Sequence, residues 1–162
     1  MALKKEKKVE ITDSLKDSIK DTKSVVFVNF NKLTVKDATS FRRKLREGGI
    51  GYKVSKKTLL KRAIDTMKYE GEFPALDGQI GVAYGSDLIA PAREVYDFQK
   101  SHKDNISIVG GVFDGKFMNK EQMMSIATIP PLQVLYGQFV NLINSPIQRF
   151  AVVLDQIAQK KA

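Results

Sequence analysis

A run of basic side chains between residues 42 and 62 is the strongest candidate for a binding site in this sequence. Those 21 residues contain nine Lys or Arg side chains and a single acid, Glu47. Helix surfaces in water usually alternate Glu with Lys, because opposite charges four residues apart stabilise the helix. The bland interpretation is a solvated helix surface, but the missing acids favour an anion that binds there.

The spacing within this run predicts a phosphate site at a helix start. We expect Ser55 to cap a helix, which places Lys56 and Lys57 at the positive end of the helix dipole. A cation there is disfavoured by roughly 0.3–1 kcal/mol at a surface. The free N–H groups of residues 55–58, the hydroxyls of Ser55 and Thr58 and the two ammonium groups would together bind a phosphate.

Neighbouring cations extend this site and favour RNA as the ligand. Lys53 on the preceding strand, and Lys61 and Arg62 one turn later, would reach further phosphates. The sequence has no helix-turn-helix, zinc-finger or aromatic RNA-recognition signature. Recognition of folded RNA by shape, through phosphates and 2′-hydroxyls, is therefore expected rather than base readout.

Other chemistries find little support in the residues. The chain has no cysteine, which excludes disulfides, thiolate catalysis and thiolate metal sites. It has one histidine, His102, so a histidine metal cluster is excluded too. A phosphate-binding Gly-x-x-x-x-Gly-Lys-Ser/Thr loop is also missing. We expect no enzyme activity, no metal and no cofactor.

The charge is unevenly shared along a chain of ordinary domain size. The 162 residues carry 27 basic and 18 acidic side chains, a net charge of +9. Residues 1–68 hold 19 of the basic and 8 of the acidic ones. The basic start of the chain leads into an amphipathic stretch that contains acids, unlike a secretory or organelle signal. These features predict an intracellular protein whose first half meets a polyanion.

Apolar periodicity and turn residues alternate between helix and strand patterns. Strand 24–30 has no alternation, which predicts burial on both faces. Thr34 and Asp37 form a capping box that starts the second helix. The fold class is therefore α/β, with one sheet of about four strands flanked by helices and the strand order open. The predicted elements are helix 4–22, strand 24–30, helix 35–47, strand 50–54, a helix after Ser55, strand 79–84, helix 91–103, strand 106–113 and a short helix capped by Asn119.

The last stretch of the chain, from Ser125 to Lys160, is a separate feature and is nearly uncharged. No charged residue occurs from Ser125 to Gln148, yet the stretch is too polar for the roughly 20 apolar residues of a membrane span. Large apolar residues recur at steps of three and four, and Pro146 after Asn144 and Ser145 predicts two helical segments or one kinked helix. Either this is a core helix of the same domain, or it projects as an arm that partner chains cover. We favour the arm, which gives domains 1–128 and 129–162. Its stripe consists of Leu132, Leu135, Tyr136, Phe139, Leu142, Ile143, Ile147, Phe150, Leu154 and Ile157.

Several motifs together resemble the bacterial ribosomal stalk-base family, the tenth protein of the large subunit. The most specific is Tyr52-Lys-Val-Ser-Lys-Lys-Thr-Leu-Leu-Lys-Arg-Ala63, preceded by Leu33-Thr-Val35 and Phe41-Arg-Arg-Lys-Leu-Arg-Glu-Gly-Gly49. The resemblance continues nearly to the end of the chain. It runs through Leu76-Asp-Gly78, Pro91-Ala92, Phe98, Gly110-Gly111, Gly115 and Ile126-Ala-Thr-Ile-Pro130.

The resemblance implies a scaffold in the cytoplasm, bound to the ribosome, with no cofactor. In that family the first domain binds large-subunit ribosomal RNA beside a second stalk-base protein. The terminal helix carries dimers of the acidic stalk protein, which recruit translation GTPases. The tail has two Pro-flanked segments, about 132–143 and 147–157, and these predict two dimers. The residues expected to contact RNA are Lys4, Lys5, Arg42, Arg43, Arg46, Lys53, Ser55, Lys56, Lys57, Thr58, Lys61 and Arg62.

One residue departs from the family pattern and one alternative function remains. The family usually has Asn where this chain has Lys57, and a Lys there reaches phosphate without making the paired hydrogen bonds of an amide. The alternative function is a translational regulator that binds its own messenger RNA with the same basic surface.

Overall fold

Eleven elements follow one another along the described residues 5–20, 22–67, 69–102 and 105–161 of the computed structural model. The chain divides into two units, Met1–Ile129 and Pro130–Ala162. The elements are α1 (Lys5–Lys20), β1 (Ser24–Phe30), α2 (Val35–Glu47), β2 (Gly51–Val54), α3 (Lys57–Asp65), β3 (Ile80–Gly85), α4 (Ala90–Ser101), β4 (Ile106–Phe113), β5 (Lys116–Asn119), α5 (Lys120–Ala127) and α6 (Leu132–Lys161).

The first unit contains one antiparallel sheet in the order β2-β3-β1-β4-β5. The α/β class and the four expected strands are confirmed. The fifth strand, β5, was not predicted. Its signal was the Asp114-Gly115 pair, in which both residues have positive φ, as a two-residue hairpin turn of this type requires.

The central strand β1 is covered on both faces, as its uninterrupted apolar run predicts. Val26 and Val28 pack against α2, α4 and α5 on one face. Val25 and Phe27 pack against α1 and α3 on the other. The sheet is therefore the middle of three layers, and every helix of the first unit has one apolar side turned to it.

The pairing of β1 with β4 contains an irregularity that sequence reasoning did not anticipate. Phe27 pairs with Gly110 and Val28 with Ile108, so the ladder skips Val109. The extra residue reverses the alternation of β4, as a bulge does. Ile106 and Ile108 consequently belong to the core beneath α2, whereas Val112 belongs to the core beneath α1.

Predicted helix starts agree with the structure at two of three places. The Thr34 hydroxyl accepts a hydrogen bond from the Asp37 backbone N–H at 3.2 Å and donates one to the Asp37 carboxylate at 2.7 Å. The Gln122 side-chain oxygen accepts from the Asn119 backbone N–H at 3.0 Å. The expected cap at Ser55 is wrong, for reasons given below. Lys4 and Lys103, at the ends of two predicted helices, lie outside the described residues.

The second unit is one continuous 30-residue helix, α6. At 1.5 Å per residue it is about 45 Å long. Of the two expected alternatives at Pro146, two separate helical segments are contradicted, because one helix runs through the proline. Pro146 has no N–H to donate to the Leu142 carbonyl, and the Ser145 hydroxyl donates to that carbonyl instead, at 3.0 Å. Ser145 thus repairs the helix at the proline rather than capping a new one.

In the described part of the chain, no single helix is long and apolar enough to cross a membrane. The pair α5 and α6 meets the length and composition criteria only when it is taken together as a bent pair.

Close packing of the sheet at Gly111 leads to a stability prediction. A Cβ atom at Gly111 would collide with the Val25 carbonyl oxygen, which is backbone and cannot move aside, and with the end of Met123. We expect Gly111→Ala to lower the free energy of unfolding by about 1–3 kcal/mol, as overpacking does. Urea denaturation followed by circular dichroism measures it.

Gly48 provides the matched control for that substitution. It has an ordinary φ of −80°, and a Cβ there would meet Ile50 Cδ1 at an ordinary 3.4 Å. Gly48→Ala should therefore leave stability unchanged or raise it by up to about 1 kcal/mol. Equal effects of the two substitutions would contradict the packing argument.

Candidate nucleic-acid interface and candidate partner helix

The start of α3 lies one residue later than the sequence predicts. Lys56, not Ser55, is the N-cap, and its carbonyl accepts from the backbone N–H groups of Leu59 and Leu60 at 2.9 and 3.1 Å. Its side chain makes no capping bond. β2 ends at Val54, so Ser55 and Lys56 together lead the chain from the sheet into the helix. Lys57 and Thr58 occupy the first two helical positions, and both are exposed.

The start of α3 belongs to a larger concave surface at the end of the sheet where β1 and β2 end and β3 begins. Four depressions adjoin there, because each shares lining residues with the next. We call this continuous surface the basic groove. It runs from Arg46 on α2, past Phe30, Val54 and Gln79 at the sheet end, to Lys57 and Lys61 on α3.

The charge of the basic groove has one sign. Among the described residues that line the four depressions there is no Asp or Glu. Because no carboxylate lines the groove, positive charge prevails along it, and such a surface attracts polyanions. The basic residues that line the groove are Lys32, Arg42, Arg46, Lys56, Lys57 and Lys61.

Both helical layers contribute to this groove, and aromatic rings hold two of the cations in place. The Arg42 guanidinium carbon lies 6.0 Å from the centre of the Tyr52 ring, and Lys61 Nζ lies 5.9 Å from the centre of the Phe73 ring. Burial raises the pKa of Tyr52 to about 12, against the opposing charge of Arg42. Tyr52 is therefore a neutral phenol and does not offset the positive charge around it.

Two of the residues predicted to bind RNA have other local partners. The Arg43 guanidinium forms an ion pair with Glu47 at 3.0 Å. Lys53 Nζ donates to the Ser14 and Ser18 hydroxyls on α1 at 2.9 and 2.6 Å.

Arg62 faces another part of the surface. It lines a depression between α1 and α3 that also contains Lys8 and Lys16 together with Asp13 and Asp65. Lys4 lies outside the described residues, and of Lys5 only the backbone, at the start of α1, is described.

Sequence reasoning missed three residues of the groove, Lys32, Phe30 and Gln79. Lys32 has a φ of 49°, an uncommon value outside glycine, in the turn between β1 and α2. Its signal was its place between the end of a buried strand and the Thr34 cap. Phe30 and Gln79 are paired through a 3.0 Å backbone hydrogen bond from the Phe30 N–H. Their neighbourhood depends on strand order, which the sequence does not provide.

The α6 helix carries an apolar surface with no cover in the structure. All ten predicted stripe residues are exposed, from 38 % for Leu135 to 69 % for Leu142 and Ile147. The stripe also includes Val140 and Val153, which were missed, although each lies three or four residues from another member.

The described residues hold no group of three or more His, Cys, Asp or Glu side chains that would bind a metal ion. His102 packs against neighbouring side chains. Its ring stacks on Phe98 with 4.4 Å between the ring centres, and its Nε2 lies 3.7 Å from the Asp37 carboxylate.

Comparison with known proteins agrees with the resemblance noted in the sequence. A family model described as ribosomal protein L10 matches residues 3–100. The large ribosomal subunit protein uL10 of Dehalococcoides mccartyi strain CBDB1 is 35 % identical over 150 residues, which are 92 % of this chain and 85 % of that relative.

Two further relatives carry the same name. The protein of Clostridium tetani is 35 % identical over 148 residues, 91 % of this chain and 86 % of its own. The protein of Staphylococcus carnosus is 31 % identical over 157 residues, 96 % of this chain and 94 % of its own. These are ribosomal proteins rather than enzymes, so the expectation of a non-enzymatic protein is confirmed. The chain belongs to the ribosomal protein L10 family.

Proposed function

We propose that this protein is a structural component of the large ribosomal subunit that binds ribosomal RNA through the basic groove. The observation that carries this proposal is a continuous concave surface lined by six cations and, within the described residues, by no carboxylate. A phosphate backbone supplies the opposite charge that the protein itself leaves out. The names of the relatives, which place them in the large ribosomal subunit, support the same assignment.

The arrangement of the groove favours folded RNA over an extended single strand. Its cations come from α2, the β1–α2 turn and α3, on two layers of the fold. Phosphates that meet all of them must themselves be arranged in three dimensions, which is how proteins recognise RNA by shape. Lys57 contributes charge here, whereas Arg43 and Lys53 are secondary contacts at most, because each has local partners. Arg62 is also secondary, because it lies outside the groove.

The α6 helix is the proposed site for acidic stalk protein dimers. Its stripe exposes apolar side chains over the full length of the helix, and such surfaces mark sites of association. Through these dimers the protein would recruit translation GTPases, next to a second stalk-base protein and within cytoplasmic ribosomes. The two segments flanking Pro146 support two dimers.

Salt dependence tests the RNA part of the proposal. We expect log K for a large-subunit RNA fragment to fall steeply between about 50 and 200 mM salt. The double substitution Lys56→Gln and Lys57→Gln removes two groove cations. It should make the slope of log K against log salt shallower by about 1.4–1.8, since each lost phosphate contact removes about 0.7–0.9. Fluorescence anisotropy at several salt concentrations measures both slopes.

Lys100→Gln is the matched control, because this exposed lysine on α4 lies outside the groove and pairs with Asp97 at 3.2 Å. It changes the net charge without removing a groove cation, so the slope should not move. A flat salt response of the unaltered protein would refute RNA binding by phosphate contacts. The same measurement with the protein's own messenger leader compares the regulatory alternative.

Stoichiometry tests the α6 part. We expect the full chain to bind two acidic stalk protein dimers, and native mass spectrometry counts them. Leu135→Gln with Phe139→Gln should remove one dimer, and Phe150→Gln with Leu154→Gln the other. All four side chains are exposed, and Gln forms helices nearly as well as Leu, so circular dichroism should be unchanged.

Val134→Gln is the control for these helix variants. At 3.6 residues per turn, Val134 lies on the opposite side of α6 from the stripe, and it is likewise exposed. This change should leave both dimers bound. A count of three dimers, or the loss of both from either pair of substitutions, would contradict the two-segment assignment.

A further inference from the structure

The largest depression of the basic groove, about 650 Å³, has walls that phosphate contact does not need. Ile11, Phe30, Val54, Leu59 and Ile80 all line it. A phosphate is bound by cations and N–H groups at a surface, and an apolar wall adds nothing to that. Val54 is nevertheless left 48 % exposed beside the depression. The walls therefore fit something flat and apolar.

We propose that this depression receives a single unstacked nucleobase of the bound RNA. The proposal rests on the RNA-binding function proposed above and names a subsite within that groove. At about 650 Å³, the depression has ample room for one base and its sugar. Proteins that bind RNA in a sequence-dependent way commonly take up unstacked bases against aromatic side chains, and Phe30 provides such a ring here.

The cationic residues around the depression are placed to bind the phosphates next to such a base. Lys56 and Lys57 line it together with the apolar residues, and Lys57 also lines the neighbouring depression that contains Lys61. A nucleotide whose ring enters the apolar part would keep its own phosphate near Lys56 and the next one near Lys61. A ligand that is apolar at one end and anionic at the other matches this order.

Polar groups within the depression can meet the edge of a base. The exposed amide of Gln79 offers both a donor and an acceptor. The Ser55 hydroxyl oxygen is buried and has no hydrogen-bond partner among the described residues. Gln79 lines the depression, so a base edge would find hydrogen bonds to this amide as well as a surface on which to stack, whereas the buried Ser55 oxygen is closed off from that space.

A substitution that fills the depression without changing its charge tests base binding separately from phosphate binding. Val54→Trp places a large ring beside the depression from an exposed position. RNA affinity should fall about 5- to 150-fold, the range that corresponds to the loss of one base stacked on an aromatic side chain. The slope of log K against log salt should stay as in the unaltered protein, because no cation is lost. Phe30→Leu, which removes the ring and keeps an apolar wall, should lower affinity in the same way.

Val35→Trp is the matched control. Val35 is 84 % exposed on α2 and lines none of the four depressions. The same change there should leave both affinity and slope unaltered. Thermal unfolding shows whether each variant keeps the fold.

The outcomes distinguish this inference from the proposed function. A steep salt slope with undiminished RNA affinity in Val54→Trp would overturn the base subsite and leave RNA binding intact. A flat slope in the unaltered protein would instead refute RNA binding itself. Free AMP, GMP, CMP and UMP, titrated singly, test a mononucleotide site. Tight binding of any of them that Val54→Trp abolishes, with RNA affinity unchanged, would overturn the RNA base in favour of a free nucleotide.

Discussion

Burial of β1 on both faces is the constraint on which the rest of the first unit depends. A strand of Val25, Val26, Phe27 and Val28 leaves no side for water, so two helical layers must cover it. It also needs neighbours at both edges, and β3 and β4 pair with it there. Once both layers are in place, the ends of β1, β2 and β3 meet at one end of the sheet, between the starts of α2 and α3.

The basic groove follows from that geometry rather than from any single motif. Arg42 and Arg46 belong to a helix on one face of the sheet, and Lys57 and Lys61 belong to a helix on the other. They line one surface only because the sheet ends between them. The protein keeps its carboxylates elsewhere: Glu47 pairs with Arg43, and Glu94 lies 3.8 Å from Lys44. These cations are thereby neutralised outside the groove, while those within it are left for a ligand.

The sequence predicted most of this where the physics is local. The Thr34 and Asn119 caps, the twofold burial of β1 and the exposed stripe of α6 all depend on residues within a few positions of each other. What it missed depends on distant neighbours. Lys53 lies within the basic run in sequence, but its ammonium group donates to the hydroxyls of Ser14 and Ser18. Phe30 and Gln79 become neighbours only through the pairing of β1 with β3. The residue that the ladder skips, Val109, reverses which side chains of β4 face each core, and no periodicity in the sequence indicates this.

The sequence left two outcomes open at Pro146, two helical segments or one kinked helix, and the structure contains a single helix. Pro146 does remove a backbone hydrogen bond, and a helix with an orphaned carbonyl would be expected to break there. Ser145 supplies the missing donor from the adjacent position, so the helix continues. The proline therefore does not interrupt the helix, but it marks the boundary between one stretch of the stripe before it and another after it. Each stretch exposes its own aromatic residue, Phe139 at 62 % and Phe150 at 66 %. Two apolar stretches on one uninterrupted helix can be covered by two separate partners, because neither partner has to disrupt the helix where the other binds.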